Sequence, residues 1–131
     1  MLLEGPLGAG KSTFARFLLE ALGADRPSEG SPTFSLVHLY PLRGGVIQGA
    51  HLDLYRLKSE EEIEEAGLLD YLWDEEGIAL VEWLSLWPGL EARLWGELSK
   101  AERNRVWKVA LDFVSNEQAL RQVRVEIRQP A

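Results

Sequence analysis

The sequence predicts one α/β domain, in which helices pack on both faces of a central mixed sheet and an antiparallel hairpin ends the chain. Three observations carry this prediction. Strand-like apolar stretches and amphipathic helical stretches are mixed from the N-terminus onward. Apolar and polar residues alternate in the last third of the chain, as in paired strands. The length of 131 residues, without an evident linker or repeat, fits a single domain over residues 1–131.

The first half of the chain contains a strand, a helix and two further strands. Leu2-Leu3 predicts the end of a short buried strand. Residues 11–22 predict a helix, because apolar side chains recur at the spacing of one helical face. Residues 33–40 and about 46–54 predict two strands joined by a turn. The predicted helical face consists of Phe14, Phe17, Leu18, Ala21 and Leu22.

The second half begins with helical patterns and ends with strand patterns. Ser59 followed by Glu62 is a capping box that predicts a short helix, and residues 68–73 predict a further turn or two of helix. Residues 78–81 predict a short buried strand, and residues 90–101 predict a helix. Alternating apolar residues then predict a terminal β-hairpin. They are Trp107, Val109, Leu111 and Phe113 on one strand and Val123, Val125 and Ile127 on the other.

Composition and charge exclude several classes of function. The chain has no cysteine, which excludes a disulfide framework, a thiolate metal site and a cysteine nucleophile. The net charge of −7 argues against charge-driven binding to DNA or to nucleic acid in general. No apolar run approaches the ~18 residues of a membrane span, and no export signal is visible. We therefore expect a cytoplasmic protein without a membrane partner.

The strongest motif is the glycine-rich segment GPLGAGKS at residues 5–12. It matches G-x-x-x-x-G-K-[ST], the Walker A phosphate loop, and it lies between an apolar strand and an amphipathic helix.

The residue types of this motif suit phosphate binding. Its glycines let backbone N–H groups turn toward phosphate oxygens, and the helix N-terminus adds partial positive charge. Lys11 would place its charge on the β- and γ-phosphates, and the Ser12 hydroxyl would bind Mg²⁺. Thr13 is either a further phosphate contact or an ordinary helix residue. The motif predicts a nucleotide-binding, P-loop NTPase-like three-layer domain, with contacts from Gly5, Gly8, Ala9, Gly10, Lys11, Ser12 and Thr13.

Two carboxylates follow apolar strand patterns. Asp53 lies in the segment HLDLY, and Glu82 directly follows the strand at residues 78–81. Ligands of open α/β sheets bind at the carboxyl ends of the strands, where both acids could stand. One acid would hold Mg²⁺, directly or through water, and the other would orient or activate the attacking water. The pattern leaves open which acid has which role. The Asn-Lys-x-Asp motif by which GTPases read their base does not occur, so we favour ATP.

Four segments together resemble the TsaE family of bacterial ATPases. They are GPLGAGKS at residues 5–12, SPTFSLV at 31–37, HLDLYRL at 51–57 and LVEW at 80–83, and the match covers about residues 2–83. The resemblance implies a small ATPase that uses ATP and Mg²⁺ and supports the TsaD–TsaB complex. That complex forms N6-threonylcarbamoyladenosine in tRNAs that read ANN codons. The resemblance also implies slow turnover in the absence of the complex, and contact with tRNA only through it.

The resemblance implies a role for individual residues. Residues 8–13 would hold the phosphates, and residues 31–33 would form a switch-like loop that brings Thr33 near the γ-phosphate. Asp53 would be the Walker B-type acid, Glu82 a metal-linked or catalytic carboxylate, and Trp83 a neighbour of the nucleotide. The segment before the phosphate loop is shorter than is usual in the family. The expected catalytic residues are Lys11, Thr33, Asp53 and Glu82, and the expected metal ligands are Ser12, Asp53 and Glu82.

Two other functions are compatible with a phosphate loop. A nucleotide-sensing module would bind Mg-ATP and change the assembly of a partner without releasing phosphate. A small-molecule kinase would transfer the phosphate to an acceptor, although 131 residues leave little room for separate lid and acceptor domains. Phosphate release that a partner stimulates is the property that distinguishes the ATPase from both alternatives.

Overall fold

The computed structural model describes residues 1–24, 37–43, 47–73, 76–98 and 106–128. The first half of the chain forms β1 (Leu2–Glu4), α1 (Lys11–Ala21), β2 (Val37–Leu42) and β3 (Ile47–Asp53). The second half forms α2 (Glu60–Glu65), α3 (Leu69–Trp73), β4 (Ile78–Glu82), α4 (Pro88–Leu98), β5 (Val106–Val114) and β6 (Glu117–Arg128), with a 3₁₀ turn at Leu84–Leu86. The predicted elements are present at close to their expected bounds. Two parts of the predicted elements lie outside the described residues. They are residues 33–36 of the predicted strand and residues 99–101 of the predicted helix.

The six strands of these described ranges form one mixed sheet in the order β2-β3-β4-β1-β5-β6. Strands β3, β4, β1 and β5 run parallel to one another, whereas β2 and β6 pair antiparallel with β3 and β5 at the two edges. The first strand of the chain is therefore in the middle of the sheet, and the segment that follows it leaves from the middle of the carboxyl edge. The predicted mixed sheet and terminal hairpin are confirmed.

Helices cover both faces of the sheet, so the domain has three layers. Leu3 belongs to the apolar cluster beneath α1, whereas Leu2 belongs to the cluster beneath α2, α3 and α4, because consecutive strand residues point to opposite faces. The first cluster also contains Ala15, Leu19, Leu42, Leu80 and Val109. The second also contains Leu52, Leu54, Ile63, Leu69, Val81, Leu90 and Leu94. The three-layer α/β architecture that the sequence predicts is thus confirmed.

Helix α1 packs on the sheet through a face that only partly coincides with the apolar face of the sequence pattern. Its buried residues are Lys11, Ala15 and Leu19, which share one face at intervals of four positions. Phe14 packs only at the border of the cluster, and Phe17 is 58% exposed. Leu18 and Leu22 of the apolar face also pack against the cluster, so Phe17 is the large residue of that face that stays mostly exposed. Ala15 is fully buried, which a count of large apolar residues does not reveal.

The capping box of α2 is present with an altered second bond. Ser59 Oγ accepts a hydrogen bond from the Glu62 backbone N–H at 3.1 Å, as predicted. The Glu62 carboxylate accepts a hydrogen bond from the backbone N–H of Lys58 at 2.8 Å, one residue before the position that the motif specifies.

In the ranges that the structure describes, no helix is both long and apolar enough to cross a membrane.

The terminal hairpin buries only part of its predicted apolar face. Val109 and Leu111 of β5 are buried, but Trp107 and Phe113 of the same face are 37% and 47% exposed. The facing residues of β6, the edge strand of the sheet, are about half exposed. These residues are Val123, Val125 and Ile127.

Candidate phosphate-binding site

The glycine-rich loop forms a tight turn between the end of β1 and the start of α1. Gly5, Gly8 and Gly10 have φ angles of 143°, 79° and 105°, which side chains of L-residues rarely allow. A Cβ atom on Gly5 would lie 2.2 Å from the backbone oxygen of Leu111 in β5. The loop therefore needs glycine at Gly5 for close contact with the sheet, and at Gly8 and Gly10 for its backbone shape. The first N–H groups of α1, which lack partners within the helix, follow directly.

Asp53 and Glu82 lie side by side at the carboxyl edge of the sheet. They are the last residues of β3 and β4, and the parallel register of these strands pairs them directly. Glu82 is buried, and Ser12 Oγ lies 3.0 and 2.9 Å from its two carboxylate oxygens, so the hydroxyl donates to one of them at a time. The sequence prediction that both acids stand where ligands of α/β sheets bind agrees with this placement.

His51 is the buried partner of Glu82. Its Nε2 lies 2.6 Å from Glu82 Oε2, and both side chains are almost completely shielded from solvent. A buried carboxylate is costly unless it accepts hydrogen bonds, and His51 and Ser12 supply them. His51 thus fixes the orientation of Glu82. No local sequence pattern predicts this contact, although His51 lies two residues before Asp53 and therefore points to the same face of β3.

Lys11 is folded against its own loop. Its Nζ donates hydrogen bonds to the backbone oxygens of Gly5 at 2.7 Å and Pro6 at 3.0 Å. Burial lowers the pKa of Lys11, and the negative charges of Glu82 and Asp53 act in the opposite direction. The ammonium group is thus held beside the two carboxylates, at the point where the loop and the sheet edge meet.

Two aromatic side chains border the same region. The Trp83 ring centre lies 4.0 Å from Lys11 Nζ, a cation–π contact, and 4.8 Å from the ring centre of Tyr55. Trp83 has a φ of 67°, an uncommon conformation for a large residue that costs of order 1–3 kcal/mol. Strain of this kind persists where the surroundings hold the residue, and here the strained residue directly follows Glu82.

An open cleft of about 460 Å³ joins these groups. It is lined by eight of the predicted site residues together with Leu7, Tyr55 and Arg56. The eight are Gly8, Gly10, Lys11, Ser12, Thr13, Asp53, Glu82 and Trp83. Gly5 lies behind the loop, against β5, and Ala9 is buried with 1% of its surface exposed. Thr33, the remaining predicted catalytic residue, lies outside the described residues.

The donor set of the cleft fits Mg²⁺ that arrives with a phosphate ligand. Ser12 supplies a hydroxyl, and Asp53 and Glu82 supply carboxylates, which are the oxygen ligands that Mg²⁺ prefers. Within the described part of the chain, no three His, Asp or Glu side chains are grouped so that they could hold a metal by themselves. Mg²⁺ commonly takes only one or two carboxylates and completes its shell with phosphate and water, so two acids beside a phosphate loop are sufficient.

The chain matches the model of a known protein family over most of its length. The family model described as "Threonylcarbamoyl adenosine biosynthesis protein TsaE" matches residues 1–108. Proteins named tRNA threonylcarbamoyladenosine biosynthesis protein TsaE are similar to the chain. The one from Haemophilus influenzae is 41% identical over 88 residues, which are 67% of this chain and 53% of that protein. The one from Bacillus subtilis is 44% identical over 84 residues, 64% of this chain and 49% of that protein. The one from Aquifex aeolicus is 43% identical over 82 residues, 62% and 54% of the two chains.

The chain spans about half the length of these curated relatives. The family model nevertheless covers the phosphate loop, both carboxylates at the sheet edge and Trp83, which are the groups that line the cleft. The chain therefore belongs to the TsaE family.

Proposed function

We propose that this chain binds ATP and Mg²⁺ in the cleft and hydrolyses the nucleotide. The observation that carries the proposal is the contact between Ser12 and Glu82, with Asp53 paired beside Glu82 in the register of β3 and β4. This contact joins the end of a phosphate loop to an acidic sheet edge. A hydroxyl and two carboxylates there are suited to a metal-bound phosphate.

Several groups of the cleft have distinct tasks in this proposal. The backbone N–H groups of the loop and of the first turn of α1 bind phosphate oxygens, and Lys11 adds a positive charge beside them. Ser12 and Asp53 would hold the metal, which when bound would offset the negative charge of the phosphates. Glu82, kept in orientation by His51, positions the attacking water. Trp83 and Tyr55 shield one side of the cleft.

The role of Glu82 is tested by Glu82→Gln, which keeps the size of the side chain and removes its charge. We expect phosphate release to fall by roughly 10²-fold or more, because a group that positions the nucleophile acts on the chemical step. The affinity for ADP, measured by calorimetry, should change by only a few fold. Glu97→Gln is the matched control, since Glu97 is exposed on α4 and lies outside the cleft. Unchanged phosphate release by the Glu82 variant would refute this assignment.

We further propose that hydrolysis supports the formation of N6-threonylcarbamoyladenosine in tRNA, through the TsaD–TsaB complex. The names of the similar proteins from Haemophilus influenzae and Bacillus subtilis support the pathway, since both are called tRNA threonylcarbamoyladenosine biosynthesis proteins. The complex is the partner that the family resemblance implies. In this arrangement, tRNA is reached through the complex, which agrees with the net charge of −7 on the chain.

A further inference from the structure

The hairpin of β5 and β6 supports the phosphate loop from behind at two points. The first is the close approach of the Leu111 backbone oxygen to Gly5. The second is a hydrogen bond from β6: Arg121 Nε donates to the backbone oxygen of Ala9 at 3.1 Å, across 112 positions of sequence. Ala9 lies between Gly8 and Gly10, so the guanidinium group binds the loop between two of its glycines.

The guanidinium group of Arg121 is itself held by the hairpin. Its Nη1 donates to the backbone oxygens of Gln118 at 2.7 Å and Leu120 at 2.8 Å. Its central carbon lies 4.5 Å from the ring centre of Phe113, the residue that pairs with Arg121 across the hairpin. A guanidinium fixed by several partners loses little further entropy when it holds another group. Arg121 is therefore a rigid connection between the edge strand and the loop.

The bond to Ala9 acts on the orientation of the neighbouring N–H group. The carbonyl of Ala9 and the N–H of Gly10 belong to one planar trans peptide, so they point in opposite directions. Since Arg121 holds the carbonyl toward the hairpin, the N–H of Gly10 points away from the hairpin, on the side where Gly10 lines the cleft. The positive charge of Arg121 also polarises this peptide, which strengthens the N–H as a donor to an anion.

We propose that Arg121 is a positioning residue, which holds the phosphate loop in its binding conformation and makes the hairpin a part of the nucleotide site. The proposal rests on the proposed function for the identity of the ligand. It does not rest on the family match, because Arg121 lies beyond residues 1–108, which the family model covers. The groups that line the cleft all come from segments before β5. Strand β6 contributes Arg121, which restricts the conformation of the loop.

The test compares Arg121→Ala with Arg124→Ala. Arg124 is an exposed arginine on the opposite face of β6, so its loss changes the charge equally without releasing the loop. Arg121→Lys keeps the charge but cannot make the three backbone contacts in the same geometry.

Two measurements are made on each variant. The first measurement is amide hydrogen exchange of residues 8–10 in the nucleotide-free protein. The second is the affinity for ADP by calorimetry. Far-UV circular dichroism and the unfolding midpoint show whether each variant is folded.

We expect exchange at Gly10 to be several-fold faster in Arg121→Ala than in Arg124→Ala, and ADP to bind about ten-fold more weakly, because one charge-assisted hydrogen bond supports the loop. Arg121→Lys should lie between the two. Equal exchange in both alanine variants would overturn the proposal, as would equal affinity for ADP when the wild-type protein binds it. If the wild-type protein binds no ADP, the proposed function is wrong, and the exchange measurement alone decides the role of Arg121.

Discussion

Glu82 is the side chain on which the contacts of the site converge. It accepts a hydrogen bond from Ser12 and lies 2.6 Å from His51, and it is paired with Asp53 in the strand register. A carboxylate this deeply buried is tolerated only with such partners. The same contacts that make its burial possible also restrict it to one orientation, which is what a group that positions a water needs.

The loop glycines provide a direct check on this part of the site. We expect Gly5→Ala to lower the free energy of unfolding by more than about 2 kcal/mol, because the new Cβ would lie 2.2 Å from a backbone oxygen that cannot move alone. Gly8→Ala is the control: Gly8 also has a positive φ, but a Cβ there meets no atom within 4 Å. Its cost should stay near 1 kcal/mol of backbone strain. Urea unfolding measures both, and equal losses would contradict the close contact with β5.

Some of these residues could be predicted from the sequence and others could not. Lys11 and Ser12 are specified by a motif, and Asp53 and Glu82 by their positions after apolar strands, because local spacing determines where they stand. The roles of His51 and Arg121 depend on which side chains meet across the sheet, and Arg121 acts 112 positions away from its partner. Contacts at this separation leave no local pattern in a single sequence.

Lys108 connects three elements on the face of the sheet beneath α4. Its Nζ lies 2.8 Å from Glu91 Oε1 of α4 and 3.0 Å from Glu4 Oε1 at the end of β1. It also lies 5.9 Å from the ring centre of Trp95. This cluster ties the short first strand, which directly precedes the phosphate loop, to β5 and to α4. The placement of the loop therefore depends on packing between elements as well as on its own glycines.

Lys108→Gln should lower the free energy of unfolding by about 1 kcal/mol near neutral pH, because two carboxylates lose their partner. The hydrogen bond to Glu91 raises the pKa of Lys108 above its ordinary value of 10.5, aided by Glu4 and opposed by burial. A base with a raised pKa binds its proton more tightly when folded, so its contribution is complete below pH 10.5 and is lost as the pH rises through the raised pKa.

The measurement is denaturant unfolding of both proteins across this range of pH. Their difference in stability should narrow as the pH rises above 10.5. Lys58→Gln is the control, since Lys58 is exposed and its loss should change stability by less than about 0.5 kcal/mol. A difference that is constant with pH would contradict the role of the charge on Lys108.

The elements were more predictable than the surfaces through which they pack. The strand and helix patterns correctly indicated the order of elements, because hydrophobic periodicity reflects local structure. The apolar spacing of α1 is only a partial guide to its buried face, because Ala15 and Leu19 are fully buried whereas Phe17 is mostly exposed. The hairpin likewise exposes Trp107 and Phe113, because burial depends on what covers a strand and not on the pattern of the strand alone.

The sheet order explains how distant segments of the chain build one cleft. Because β1 lies between β4 and β5, the phosphate loop has the acidic edge of β3 and β4 on one side and the hairpin on the other. The acidic edge supplies Asp53 and Glu82, and the hairpin supplies Arg121. A mixed sheet in this order places the two carboxylates on one side of the phosphate loop and Arg121, which supports the loop, on the other side.

Phosphate release from Mg-ATP by the purified chain is the first measurement to make. It should be made with the chain alone and with the TsaD–TsaB complex added, and Lys11→Ala serves as the blank. We expect slow release by the chain alone, a clear increase with the complex, and a loss of roughly 10²-fold or more in the blank, because the proposed role of Lys11 in the cleft is to place its charge beside the phosphates. Release no higher than that of the blank under both conditions would contradict the proposed ATPase. Binding of Mg-ATP without any release would favour a nucleotide-sensing module instead.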